Sequence, residues 1–366
     1  MILIPGGRSP MGSDHFYPEE RPRRSVEVAA FRIDAHPVTN DEFAAFVADT
    51  GWVTVAERPL DPADYPGADP SLLHPGGVVF LPPSGPVSLD DPSGWWAYVP
   101  GASWRHPQGP GSDLSGKGDH PVVQVSYPDA LAYAEWRGAR LPTETEWERA
   151  ARGGIDAEYA WGDDPYPGDR QMANTWQGRF PWENLALDGW TGTSPIGTYP
   201  ANGYGLVDAA GNVWEWTSDW WSDRAGGPAD DRGDDRADDA SGEAGGDASG
   251  LGAREASGGS CCSGGGVAPA VVVPAEVMAA APTDVQASSA SDSGPAASGR
   301  GSGDDSDSTA ERASAAPGER YGRKVIKGGS HLCAPSYCHR FRPAARQPEA
   351  VDTSTSHLGF RCAADA

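Results

Sequence analysis

From Asp223 to Ala316 the chain carries no Phe, Tyr or Trp, while all fourteen Trp lie between Trp52 and Trp221. Ser, Gly, Ala and Asp dominate the aromatic-free stretch, which up to Gly318 holds 17 acidic and 6 basic residues. Such a segment cannot bury enough apolar surface to offset the entropy of ordering it. It reads as an acidic, disordered insertion over 223–318. Its apolar patch from Val267 to Met278 and its adjacent Cys261 and Cys262 have no fixed context that would make them a site. The flanking pieces, 1–222 and 319–366, are then expected to form one interrupted domain, because the C-terminal piece is too short to fold alone. Loop-closure entropy grows slowly with loop length, so a domain tolerates such an insertion.

The domain itself is expected to be α+β, irregular and loop-rich. The chain has 48 Gly and 34 Pro, and its many indoles supply packing where regular structure is scarce. Arg24 to Asp34 alternates like a strand. Thr39 to Thr50 has a helix pattern, with Thr39 or Asn40 as N-cap, Phe43, Phe46 and Val47 on one face and Gly51 as stop. Tyr127 to Arg137 and Thr143 to Gly153 are two further helices, the second with Thr143 and Glu146 at capping-box spacing.

A balance of 28 basic against 52 acidic residues gives a net charge of -24. That argues against a nucleic-acid surface, which would need a basic stripe. The opening MILIPGG lacks signal-peptide features, and no apolar run reaches the length of a membrane span. With five Cys, an odd and small number, these features give the expectation of a cytoplasmic protein without a disulfide framework.

The chemistry concentrates in Lys327 to Arg346, KGGSHLCAPSYCHRFRPAAR. Cys333 and Cys338 are five apart, an offset that separates two side chains on a strand or a helix, and Pro335 disfavours both. A loop brings both sulfurs to one point, where two thiolates suit a soft ion such as Cu(I). Two buried thiols packing as small hydrophobes are an equal reading of the spacing. Zinc, with His331 and His339 as further ligands, is a third.

This stretch resembles the C-terminal signature of the formylglycine-generating enzymes, or sulfatase-modifying factors. The resemblance continues through SHLGFRCAAD (Ser356 to Asp365), NTWQGRFP (Asn174 to Pro181), GYGLVDAAGNVWEWTSDWW (Gly203 to Trp221), RLPTETEWERAARGG (Arg140 to Gly154) and WRHPQGP (Trp104 to Pro110). It covers essentially all of 1–222 and 320–366. It implies the loop-rich, C-type-lectin-like fold of that family. It also implies an oxidase that uses dioxygen to convert a Cys in a CxPxR-type sulfatase peptide to formylglycine, with loss of sulfide. Cys333 and Cys338 match the family's Cu(I) ligands, Cys338 being nearer the substrate. Ser330, Tyr337 and Trp214 match positions lining the oxygen pocket, although packing alone accounts for Tyr337 and Trp214 equally simply. The partner so implied is an unfolded or nascent sulfatase chain, with no nucleic acid and no membrane. A non-catalytic lectin-like binding module is the alternative, since fold does not fix function.

The resemblance implies structural calcium as well. Asn174, Thr175, Asp188 and Trp190 match one calcium loop, with Thr175 and Trp190 contributing backbone carbonyls. Asp208, Gly211, Val213 and Glu215 match the other. Mixed carboxylate, amide and carbonyl oxygens are what a hard cation takes. Three departures stand out. Ala334 and Pro335 replace the family's usual His and Arg. Ala134, Ala151 and Pro343 replace three of the four Cys of the animal disulfides, leaving Cys362. The family's connection between the WEWTSDWW segment and the catalytic segment is normally far shorter.

Overall fold

The computed structural model describes residues 1–64, 67, 69–223, 305–317 and 319–366. Three helices form where the capping signals lie. Helix α1 (Asn40–Thr50) is capped by Thr39, whose hydroxyl accepts from the Glu42 N–H while the Glu42 carboxylate accepts from the Thr39 N–H. It ends at Gly51, whose left-handed φ of 68° needs no Cβ penalty to be met. Helix α2 (Tyr127–Trp136) and helix α3 (Glu144–Arg152) start on the same device, from Ser126 with Asp129 and from Thr143 with Glu146.

Strands β1 (Ile2–Ile4), β4 (Phe31–Ile33) and β11 (Ala363–Asp365) make one sheet in the order β1-β4-β11, joining the two ends of the chain. The expected single strand over Arg24 to Asp34 is instead two. Strand β3 (Arg24–Val28) pairs with β2 (Gly7–Met11), and β4 pairs in the other sheet. The inward phase shifts at Ala29 and Ala30, both exposed, from Val26 and Val28 to Phe31 and Ile33, and the two segments take different pairing partners. Strands β5 (Gly76–Phe80) and β6 (Trp96–Pro100) form a hairpin-like pair.

The sheet that matters for the site has the order β10-β7-β8-β9, with β7 (Trp214–Trp220), β8 (Arg323–Lys327), β9 (Arg346–Ala350) and β10 (Leu358–Gly359). Its β7 and β8 pair antiparallel from Glu215↔Lys327 to Trp220↔Lys324, so they meet across the long segment that separates them in sequence. Period-2 alternation turns Trp214 and Trp216 into the core, where both are fully buried. There they join Phe43, Phe46, Trp104, Tyr133, Phe360 and the thiols Cys333, Cys338 and Cys362 in one cluster. Phe43 packs edge-on to Trp104 and face-on to Tyr133, with ring centroids 5.2 and 5.9 Å apart. Such pairs add about 0.5–1.5 kcal/mol each beyond area burial.

Part of the stretch expected to be disordered is ordered. Helix α4 (Asp305–Ser314) lies against the end of β7 and the start of β8. The Trp220 indole donates to Asp307 Oδ1 (2.6 Å), and Arg323 donates through its backbone N–H to Ser314 Oγ (2.8 Å) and through Nε to Ser314 O (2.7 Å). Composition missed this because a short helix draws its stability from tertiary partners rather than from its own sequence. The rest of the insertion, with Cys261, Cys262 and the Val267 to Met278 patch, lies outside the described residues.

Candidate active site

Strand β8 ends at Lys327, and strand β9 begins at Arg346. Between them hangs the loop that carries both cysteines. Gly328 and Gly329 turn it with φ of 95° and 70°, and a Cβ on Gly329 would lie 2.7 Å from Arg340 O. That close approach reserves the position for glycine. The loop then folds back on itself through Cys333 N–H to Ser330 O (2.9 Å), Tyr337 N–H to Ala334 O (2.8 Å) and Cys338 N–H to Ala334 O (2.6 Å). These turns bring together what the five-residue offset separates on regular structure. Cys333 Sγ and Cys338 Sγ are 3.3 Å apart.

That distance exceeds the roughly 2.05 Å of a disulfide. It is shorter than two metal–sulfur bonds of about 2.3 Å laid end to end, using zinc–sulfur as the yardstick. The pair is a dithiol. Cys333 is 0% and Cys338 1% exposed, in apolar surroundings. Two soft donors in a dry setting fit a soft monovalent ion such as Cu(I). The Ser330 N–H donates to Cys333 Sγ (3.4 Å) and fixes where that sulfur stands. Ser330 Oγ accepts from Leu332 N–H (3.2 Å) and so stiffens the turn.

Zinc is not favoured by the same geometry. His331 Nδ1 donates to Asn212 O (2.8 Å), and burial pushes its imidazole down to about 4, so it is a neutral, committed side chain. Among the described residues no three His, Cys, Asp or Glu side chains converge on one point.

Tyr337 is half-buried against the cluster that holds the two thiols and stacks face to face on Phe180, with centroids 4.6 Å apart and planes 9° from parallel. Trp95 meets both rings edge-on, and Trp176 packs on Phe180. The Trp176 N–H donates to Cys333 O (2.9 Å), tying this aromatic wall to the loop. Trp214 shares the cluster of the two thiols, and its indole N–H finds no acceptor among the described residues. Thus Ser330, Cys333, Tyr337, Cys338 and Trp214 come together, as does a wall of Trp95, Trp176 and Phe180 that the sequence reading gave no role. Pro335 and Ser336 are the exposed rim of the loop.

The oxygen-rich loops behind the site meet at a bridge between Asn174 and Gly211. Asn212 ties them together: its Oδ1 accepts from Ser194 N–H (3.0 Å), its Nδ2 donates to Ser194 O and Asp208 Oδ1, and its carbonyl accepts from His331. In the first set, Asp188 Oδ1 accepts from Trp190 N–H and Oδ2 from the Tyr199 hydroxyl. In the second, Asp208 Oδ2 accepts from Gly197 N–H (2.7 Å). The Glu215 carboxylate takes Arg361 through both oxygens (2.6 and 2.7 Å) and the Trp147 indole (2.8 Å). Three of its roughly four acceptor positions are filled, which leaves one for a cation. The Asp188 carboxylate likewise accepts two hydrogen bonds, so both carboxylates keep acceptor capacity of the kind a hard cation takes.

A family model for the sulfatase-modifying factor enzyme 1-like domain matches residues 1–366. The chain belongs to the sulfatase-modifying factor family. It is similar to a formylglycine-generating enzyme of Mycobacterium tuberculosis, 46% identical over 365 residues, covering 100% of this chain and 97% of that protein. It is also similar to an inactive C-alpha-formylglycine-generating enzyme 2 of Mus musculus, 43% identical over 227 residues, covering 60% of this chain and 68% of that protein. Among solved structures it matches PvdO of Pseudomonas aeruginosa with a TM-score of 0.52 and 20% identity, covering 100% of this chain and 93% of that one. That last likeness speaks for the fold alone. The fold of this sulfatase-modifying factor family member is accordingly the expected one: mixed α and β, loop-rich, with small sheets. Because the family includes proteins named as active and as inactive, function has to be argued from the cysteine loop itself.

Proposed function

We propose that the chain is a formylglycine-generating oxidase, acting with dioxygen on the cysteine of an extended CxPxR-type sulfatase peptide. The observation that carries this reading is the 3.3 Å approach of Cys333 and Cys338 at the base of an aromatic wall, in a chain matched end to end by the family model. Cys333 and Cys338 are the residues that would hold Cu(I), which when bound supplies electron transfer to dioxygen. The chain's own residues do the rest. Ser330 N–H fixes where the Cys333 sulfur stands. Trp214, Trp95 and Phe180 keep the surroundings dry, so charges there interact more strongly than in water. Tyr337, half-buried beside the exposed Pro335–Ser336 rim, marks the side from which a peptide thiol would approach. The substrate gives up its thiol proton and a Cβ hydrogen, the two electrons taking dioxygen to the peroxide level, and water then adds to the resulting thioaldehyde and expels hydrogen sulfide to leave the formyl group.

Calcium in the Asn174 and Asp208 loops would act structurally, pinning the loops that hold His331 and Trp176 against the cysteine loop. On this reading 1–222 and 319–366 act as one catalytic domain, working in the cytoplasm on chains that have not yet folded.

The test is to incubate copper-loaded protein with a CxPxR peptide in air and detect the aldehyde by hydrazide capture and mass. A Mycobacterium tuberculosis relative run in parallel controls the assay. No aldehyde from this chain beside a working control rejects the oxidase. The non-catalytic binding module draws on the burial of both sulfurs, and it predicts that the peptide binds equally well after Cys338→Ser without ever being converted.

A further inference from the structure

The segment Phe16 to Glu20, FYPEE, sits more than three hundred residues before the cysteine loop, and nothing above gives it a task. It contacts the residues that immediately follow Cys338 through several residue pairs. The His339 N–H donates to Tyr17 Oη at 3.0 Å. Arg340 Nη2 donates to Glu19 Oε1 at 2.6 Å, with the guanidinium 3.8 Å from the Tyr17 ring. Arg342 donates to Glu20 through Nη1 (3.0 Å) and Nη2 (2.5 Å), a pair in which both side chains are 0% exposed. Arg342 also stacks on Phe16 at 3.6 Å and donates through Nε to His339 O at 2.7 Å.

The consequence is geometric. His339 is the residue after Cys338, and both of its backbone polar groups are fixed: the N–H by Tyr17 and the carbonyl by Arg342, itself locked on Glu20. Cys333 is held separately, by Trp176 N–H on its carbonyl and Ser330 N–H on its sulfur. Between the two anchors lie Pro335 and Ser336, exposed at the rim. The loop's own turns bring the sulfurs together, and each flank of the loop is held in addition by its own anchor.

The FYPEE clamp is itself anchored. A Cβ on Gly12 would fall 2.3 Å from Glu20 O, so only glycine lets Glu20 seat there. Gly12 N–H donates to Glu148 Oε1 (2.8 Å), and Arg152 donates to Gly12 O (3.1 Å), fastening the segment to α3.

We propose that Tyr17 and Glu20 are positioning residues that set where the Cys338 sulfur stands relative to Cys333. Their effect on turnover rests on the oxidase reading above; their effect on the dithiol does not. Outer-shell partners of a metal site are worth about 10–100-fold in affinity or activity.

The experiment compares the unaltered protein with Tyr17→Phe and Glu20→Gln. It reads Cu(I) affinity by competition with a chromogenic chelator, the rate at which the metal-free dithiol closes to a Cys333–Cys338 disulfide in an oxidised dithiothreitol buffer, thermal midpoint, and kcat with KM. Tyr17→Phe deletes one hydroxyl and leaves the ring, so its midpoint stays within about 2 °C, as for a change below about 0.5 kcal/mol. Its Cu(I) affinity falls about tenfold, its disulfide-closure rate shifts by a similar factor, and kcat falls with KM unchanged. Glu20→Gln shows the same losses with a lowered midpoint. Unchanged affinity and unchanged closure rate in Tyr17→Phe overturn the proposal, whatever Glu20→Gln does to folding. If the unaltered protein yields no aldehyde, the oxidase reading falls, and the affinity and closure rates still decide the clamp.

Discussion

The ammonium of Lys327 lies 2.9 Å from Glu148 Oε2, and both side chains are sealed from solvent. The same nitrogen is 3.5 Å from Glu144 Oε1 and donates to Ala344 O at 3.3 Å. One lysine therefore joins helix α3 to the start of the cysteine loop and to its end. Arg346, the first residue after that loop, takes both oxygens of Glu144 (2.8 and 3.1 Å). Burial pushes the Glu144 and Glu148 carboxyls up, but the cations around them win, and both sit below their ordinary range. Charges are tolerable here because each is answered from more than one side.

Removing that lysine leaves buried carboxylates short of a partner. Lys327→Met is expected to cost about 3–5 kcal/mol, the range for breaking a buried pair. Urea unfolding with an unchanged slope and a lower midpoint is the expected result. An unshifted midpoint shows that Arg152 and Arg346 suffice without Lys327.

Cys333→Ser and Cys338→Ser keep the volume of the loop and remove the soft donors one at a time. Each is expected to lower aldehyde formation by at least about a hundredfold, beyond the loss typical of an outer-shell contact. Circular dichroism of both variants should match the unaltered protein. Near-normal turnover in either contradicts a role for the pair.

Burial pushes the Glu349 carboxyl up to about 8, with Asp352 and Glu319 adding to the shift and Thr353 opposing it. Its ordinary value is 4.5, so the folded state holds a proton that the unfolded state releases between about pH 4.5 and 8. The stability it contributes is full below the lower value and is lost as pH rises through the upper one. Glu349→Gln should therefore raise the thermal midpoint at pH 9 relative to the unaltered protein and change it little at pH 5. Parallel pH profiles for the two proteins would contradict the assignment.

Calcium is expected to stabilise the loops around Asp188 and Asp208. At a hundred times its dissociation constant a ligand specific for the folded state adds about 2.7 kcal/mol. The thermal midpoint should rise on adding calcium to chelator-treated protein, and Asp188→Asn should abolish part of that rise. A midpoint indifferent to calcium argues that internal hydrogen bonds such as Tyr199 to Asp188 already do the structural work.

Much of the site was legible in the chain. The two Cys of KGGSHLCAPSYC were singled out by type and context, and the capping pairs Thr39 with Glu42 and Thr143 with Glu146 gave two helices nearly to the residue. Those signals are local, since a cap needs only its own first turn. The order of α4 escaped because it depends on strands far away in sequence, whereas the break between β3 and β4 is marked locally by the phase shift at Ala29 and Ala30.

The arginines of RFRPAAR show the same division. Sequence alone determined that Arg340, Arg342 and Arg346 need counter-charges if they are buried, because a guanidinium cannot shed its proton. It did not say which acids would answer, and the acidic chain offers 52. The tertiary structure chose Glu19, Glu20 and Glu144. Likewise the chain specified two soft donors five residues apart, and only folding decided that their sulfurs stand 3.3 Å from each other. Residue type fixes which interactions a side chain must find, whereas distance is a property of backbone path, and in a loop without regular periodicity that path is set by contacts the local sequence does not contain.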